Sequence, residues 1–320
     1  MASHSALDPS ELFGHVQDAP DFHVPRFMSP RGDGIIDLPQ PLATLKKDSD
    51  GRPVVDHHGH EVYKPIWESH TGIPIVDQIF QPLDLKVTKF MVLELTVALA
   101  MCVAFIGLAR WMRGGAGPRG RIWNMFEAML LFFRDNVARP SIGGHDADHF
   151  LPLIWTIFFF VLGCNLMGMI PWAGSPTGAL GTTSALAFVV FVVVIGTGMR
   201  KTGAVGFWKA QVPHMDVPKA IGVFLIPLVF VIEVMGLLIK HFVLAIRLLA
   251  NMIGGHVVLA VLMAFIAVTS TTLVLWIGVA PMSVLGAVAL STLELLVAFI
   301  QAYIFAFLTA LFIGMAVHPH

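Results

Sequence analysis

From Ala220 to about Val268, and again from Met282 to Val317, the chain is apolar apart from a handful of ionisable positions. At about 1.5 Å per residue the second stretch would be roughly 54 Å long as one helix, against a hydrocarbon core of about 30 Å. Such helices either break or lie far over from the membrane normal. Three further runs upstream have span length: Phe90 to Ala109, Leu151 to Ile170, and Thr183 to Met199. Charged residues make up 13% of the chain and hydrophobic ones 56%, with a mean hydropathy of +0.77, whereas soluble domains carry about 25% charged residues. The expected fold is an all-α polytopic membrane protein with about five membrane-crossing helices, the last two long and steeply tilted.

Basic residues set the topology. Arg110, Arg113, Arg119 and Arg121 follow the first run, and Arg200, Lys201, Lys209 and Lys219 follow the third. An excess of Lys and Arg marks the cytoplasmic side, so the N-terminus is expected outside and the C-terminus in the cytoplasm. Between the first two spans, Trp123, Phe126, Leu130, Phe133 and Val137 recur at helical spacing while Asn124, Glu127, Arg134 and Asp135 interrupt them. This reads as an amphipathic helix on the membrane surface, from Ile122 to Val137.

Residues 1–85 form a polar N-terminal extension, expected on the outer (periplasmic) side, and residues 86–320 the transmembrane domain. Half of the twenty prolines fall before residue 90, which predicts extended or loosely ordered chain. His57, His58 and His60 lack a Cys or a correctly spaced acidic partner for a metal site and read as a solvated loop. No signal peptide is expected, because no basic start with a short apolar run and cleavage site is seen. Cys102 and Cys164 sit in apolar runs and read as packing residues. Glu94 lies just inside the outer end of the first span and reads as an acid reaching back to the interface. The near-neutral net charge of −1 gives no sign of nucleic acid as a partner.

A charge in the middle of an apolar helix costs at least about 2.5–3.5 kcal/mol on insertion scales, so each one needs a reason. Glu233, Lys240 and Arg247 are seven residues apart, a step that returns to within about 20° on a helix. They form one stripe if the helix is continuous. Gly254 continues the step, and Asn251 shares nearly the same face. An Arg flanked by a small residue and an amide fits a contact surface for an intramembrane partner; the alternative is an ion pair between Arg247 and an acid of its own chain. The last apolar stretch supplies Glu294 and Gln301, again seven apart. His256, nine residues after Arg247, falls on the opposite side of the helix. Alone it reads as a satisfied core histidine; approached by Glu294 across the hairpin it becomes a proton relay.

The segments IRLLANMIGGH (Ile246 to His256), ELLVAFIQAYIFAFLTALF (Glu294 to Phe312) and NLMGMIP (Asn165 to Pro171) resemble the signatures of the ATP synthase subunit a family, in order over roughly residues 90–317. The resemblance implies that Arg247 is the essential arginine facing a rotating ring of c subunits. Supporting polar roles follow for Asn251, Glu233, His256, Glu294 and Gln301, in an arrangement similar to the mitochondrial one. It further implies two offset half-channels, a bacterial inner-membrane location, and peripheral-stalk b subunits, the rest of the synthase and membrane lipid as partners. Neither a cofactor nor nucleotide catalysis on this chain is implied.

The competing reading is an ion-coupled secondary transporter, which also buries charges near mid-membrane. Such proteins commonly repeat internally, and the two halves of this chain do not resemble each other. A membrane-bound enzyme is disfavoured by the lack of a nucleophile with its base, a phosphate-binding Gly loop or a metal cluster.

Overall fold

A computed structural model describes residues 21–23, 29, 35–41, 43–48, 54, 63–65, 87–112, 120–170, 173–211 and 219–318. Two compact units form, one within Asp18–Glu94 and the other within Leu95–His320.

The first unit holds two small antiparallel hairpins. Strand β1 (Asp21–His23) pairs with β2 (Ile35–Asp37), with Phe22 opposite Ile36, and β3 (Ala43–Leu45) pairs with β4 (Tyr63–Pro65), with Thr44 opposite Lys64. These strands lie in the segment expected to be extended or loosely ordered. The side-chain amide of Gln40 imitates a further strand: it donates to the Val87 carbonyl at 2.8 Å and accepts from the Val87 N–H at 2.9 Å. His57, His58 and His60 lie outside the described residues, as do Arg113 and Arg119 of the basic cluster.

From residue 89 onward the described elements are all helical: α1 (Lys89–Met112), α2 (Arg121–Phe132), a π-helical segment (Phe133–Ala138), α3 (Arg139–Ile142), α4 (Gly144–Gly168), α5 (Leu180–Thr202), α6 (Ala204–Ala210), α7 (Lys219–Thr269) and α8 (Leu273–Val317), with one 3-10 turn at Pro176–Gly178. Among them α1, α4, α5, α7 and α8 are long and apolar enough to cross a membrane, as the sequence predicts. Helices α7 and α8 do not break, even at Pro227 and Pro281. The apolar window of α7 runs for 46 residues, about 69 Å at 1.5 Å per residue, so it remains within a core of about 30 Å only by lying far over.

The surface helix differs from expectation in one detail. It is α-helical only to Phe132 and then widens, so that the Arg139 N–H bonds to the Arg134 carbonyl five residues back. Pro140 follows at the start of α3 and has no N–H to continue an α-helical ladder. The extra residue per turn brings Phe133, Val137 and Ala138 into the core together. Outside that core, Asp135 accepts from Arg134 at 2.9 Å and from Arg139 at 3.2 Å.

The core lies where α8 packs against α4, α5 and α7, with Phe133, Ile154, Leu244, Leu248, Phe305 and Ile313 fully buried. The buried face of α8 is a run of small residues, Ala280, Ser283, Ala287, Ala298, Ala302, Ala306 and Ala310, which lets neighbouring backbones come close. At its end Gly314 is required: a Cβ there would lie 1.9 Å from the Ser141 carbonyl oxygen. Cys164 is buried in the core, while Cys102 faces outward from α1.

Candidate intramembrane ion path

Because α7 is unbroken, Glu233, Lys240 and Arg247 do share one face. Lys240 is exposed and Glu233 and Arg247 are half-buried. None of the three makes a hydrogen bond or ion pair with a described residue. The internal ion pair weighed for Arg247 is therefore not seen among the described residues. Its neighbours Phe242, Val243 and Ile246 point outward, and a Cβ at Gly254 would meet nothing within 4 Å. The stripe is open along its length.

Glu294 and Gln301 occupy the small-residue face of α8 and are nearly inaccessible, 7% and 4% exposed. Gln301 accepts from the Asn251 amide at 3.0 Å. Asn251 thus ties the open stripe of α7 to the buried stripe of α8.

One and a half turns further along α7, His256 Nδ1 lies 3.6 Å from Glu294 Oε1. The same nitrogen is 2.8 Å from the Met252 carbonyl oxygen, and Nε2 is 3.0 Å from the Gly168 carbonyl oxygen at the end of α4. A neutral imidazole offers one donor and one acceptor, but only oxygens surround these two nitrogens. Glu294 Oε1 has no hydrogen-bond partner among the described residues. Gly255 leaves room for the Glu294 carboxyl, since a Cβ there would stand 2.5 Å from Oε1.

A polar chain not singled out in the sequence adjoins this pair. Asn165, fully buried on α4, donates to the Ala298 carbonyl at 3.2 Å and accepts from the Thr177 hydroxyl at 2.8 Å; Ser175 and Thr177 share a 2.9 Å hydrogen bond. Asn165 lies one turn before Gly168, whose carbonyl meets His256. The sequence signal was Asn165 inside NLMGMIP; Ser175 and Thr177 sit in a turn without periodicity. His241 was also missed. It is 4% exposed, bonds through Nδ1 to the Leu237 carbonyl at 2.9 Å, and lies between the rings of Phe191 and Phe312. No group of three or more metal-ligating side chains occurs among the described residues.

Five apolar spans, with Arg247 unpaired among the described residues and His256 beside the buried carboxyl of Glu294, define a multi-pass membrane protein that carries ionisable side chains within its spans. Comparison with known proteins narrows the class. The family profile described as ATP synthase A chain matches residues 91–314. ATP synthase subunit a of Myxococcus xanthus is 38% identical over 241 residues, covering 74% of this chain and 76% of that protein. The subunit a of Chloroherpeton thalassium is 37% identical, covering 73% and 67%, and that of Afipia carboxidovorans 36% identical, covering 69% and 88%. The chain belongs to the ATP synthase subunit a family. It is a membrane subunit, with nucleotide catalysis on other subunits, and the transporter reading falls away.

Proposed function

We propose that this proton-translocating subunit of the ATP synthase membrane sector loads and unloads carboxylates on a ring of c subunits through two offset half-channels, with Arg247 between them. The observation that carries the reading is Arg247 itself: a cation on an open helix face, with no acid beside it among the described residues, calls for a negative partner from outside. A guanidinium stays protonated at all working pH values. It attracts a deprotonated ring carboxylate without relaying a proton, so the short route between the half-channels stays shut.

In this reading Glu294, His256 and the Asn165, Thr177 and Ser175 chain line the half-channel open to the outer side. Glu233 faces the other half-channel, and the Asn251 to Gln301 hydrogen bond fixes the helix pair behind Arg247. The membrane potential contributes about 2.3 kcal/mol per charge per 100 mV. The ends of α1 and α5, with Arg110, Arg200 and Lys201, lie in the bacterial cytoplasm by the positive-inside rule. Residues 1–85 are then an outer extension to a transmembrane domain of residues 86–320, and peripheral-stalk b subunits complete the stator.

The test is ATP synthesis driven by a proton gradient in inverted vesicles. Arg247→Ala is expected to assemble but to end coupled synthesis, and Arg247→Lys to rescue it poorly, because ammonium lacks the planar fork and can lose its proton. Normal synthesis in the Ala variant would overturn the role.

A further inference from the structure

A groove of ≈ 530 Å³, open to the outside, runs between the start of α4 and the end of α5, lined by Phe150, Val193, Gly196, Thr197, Met199, Arg200 and Ala204. Its wall is largely apolar, and α5 is one of the spans that is mostly exposed along its length. The groove floor is open at Gly196, where a Cβ would meet nothing within 4 Å.

Charge sets one end of the groove apart. The acids at the start of α4 are both engaged, Asp146 with Lys201 and Asp148 with Arg139 at 3.6 Å. Arg200 is exposed and makes no hydrogen bond or ion pair with a described residue. On α6, which begins at the groove-lining Ala204, Lys209 is a second exposed cation with no such partner. Trp208 beside it supplies the amphipathic ring typical of the membrane interface. An apolar slot that ends in a free guanidinium at the basic end of a span has the chemistry of an acyl chain below an anionic headgroup.

We propose that this groove is a binding site for one anionic phospholipid, its chain against Gly196 and Val193 and its phosphate on Arg200. The site is separate from the ion path and independent of how protons cross. A bidentate Arg to phosphate contact draws the acidic lipid in preference to a zwitterionic one, because the whole cluster carries surplus positive charge.

The test uses the intact synthase in vesicles of equal parts phosphatidylcholine and phosphatidylglycerol, with Thr197→p-benzoylphenylalanine as a photoreactive probe and mass spectrometry of the adduct. Phosphatidylglycerol should be captured in clear excess over phosphatidylcholine. Adding Arg200→Gln should cut that excess about fivefold, the equivalent of about 1 kcal/mol per cation near the surface. Gly196→Phe, whose ring fills the open floor, should remove the lipid adduct while the complex still assembles. Adducts that mirror the bilayer composition, an excess that survives Arg200→Gln, or an adduct to a neighbouring protein subunit would each overturn the proposal. The probe variant alone reads the outcome even if a second substitution fails to assemble.

Discussion

Helices α7 and α8 each carry polar side chains seven residues apart, yet the two sets have opposite surroundings. Glu233, Lys240 and Arg247 stand on an open face without partners among the described residues, whereas Glu294 and Gln301 are enclosed and meet His256 and Asn251. The same spacing therefore serves two ends. The buried stripe meets side chains of its own chain, while the open stripe meets none among the described residues and, under the proposed function, faces a partner outside the chain.

The contrast gives separable expectations. Arg247→Ala should have the largest effect on coupled synthesis and almost none on folding, within about 0.5 kcal/mol, as for surface substitutions. Thermal unfolding of the purified membrane sector checks this, and a large drop in the melting point would show that Arg247 has a partner within its own chain. On the enclosed side the order reverses. Asn165→Ala removes the buried bonds to the Ala298 carbonyl and from the Thr177 hydroxyl and should cost about 1–3 kcal/mol of stability.

Adjacent glycines sharpen the comparison at a single turn. Gly255→Ala drives a methyl into Glu294 Oε1 and should cost about 1–3 kcal/mol, with slower proton flux. Gly254→Ala meets only open space and should leave stability unchanged in the same unfolding assay. Equal effects would erase the distinction between the faces.

A subtler test concerns whether His256 and Glu294 act as a unit. Proton flux in reconstituted vesicles should fall for His256→Glu and for Glu294→His, and the exchanged double variant should recover more than the singles suggest, because residues in one network are non-additive. Strictly additive losses would make His256 a packed core histidine.

The smallest effect is expected at the surface cluster. The hydrogen bond from Arg134, aided by the charges of Arg134 and Arg139, holds the Asp135 carboxyl below the usual carboxylate range against a burial effect of opposite sign. A depressed folded value means that the contribution is present above the unfolded value, about 4, and is lost as pH falls through the folded one. Asp135→Asn should therefore melt slightly below the parent at neutral pH, with the gap closing in acid. A gap that persists in acid would assign it to packing.

Much of this was legible from the order of residues. Apolar run lengths located the five spans, and the seven-residue step put Glu233, Lys240 and Arg247 on one face because a helix repeats nearly every seven residues. What spacing could not show is which face is covered. Glu294 and Arg247 look alike as lone ions in apolar sequence, and only the alanine stripe packed by α4, α5 and α7 distinguishes them. The widened turn at Phe133–Ala138 depends on a tertiary demand to bury three side chains at once. The Asn165, Thr177 and Ser175 chain joins a helix to a turn and has no period to detect.

The connection between α7 and α8 is only Ser270–Thr271–Thr272, between helices of 51 and 45 residues. Two rods of that length, fastened at a tip and packed along each other, resist bending far better than either alone. Under the proposed function, a rotor that pushed on Arg247 would push on a braced beam whose other end is pinned where Gly314 meets Ser141. Load applied there would be carried to the surface helix rather than spent in flexing, which would make the hairpin a machine part as well as the proposed conduit.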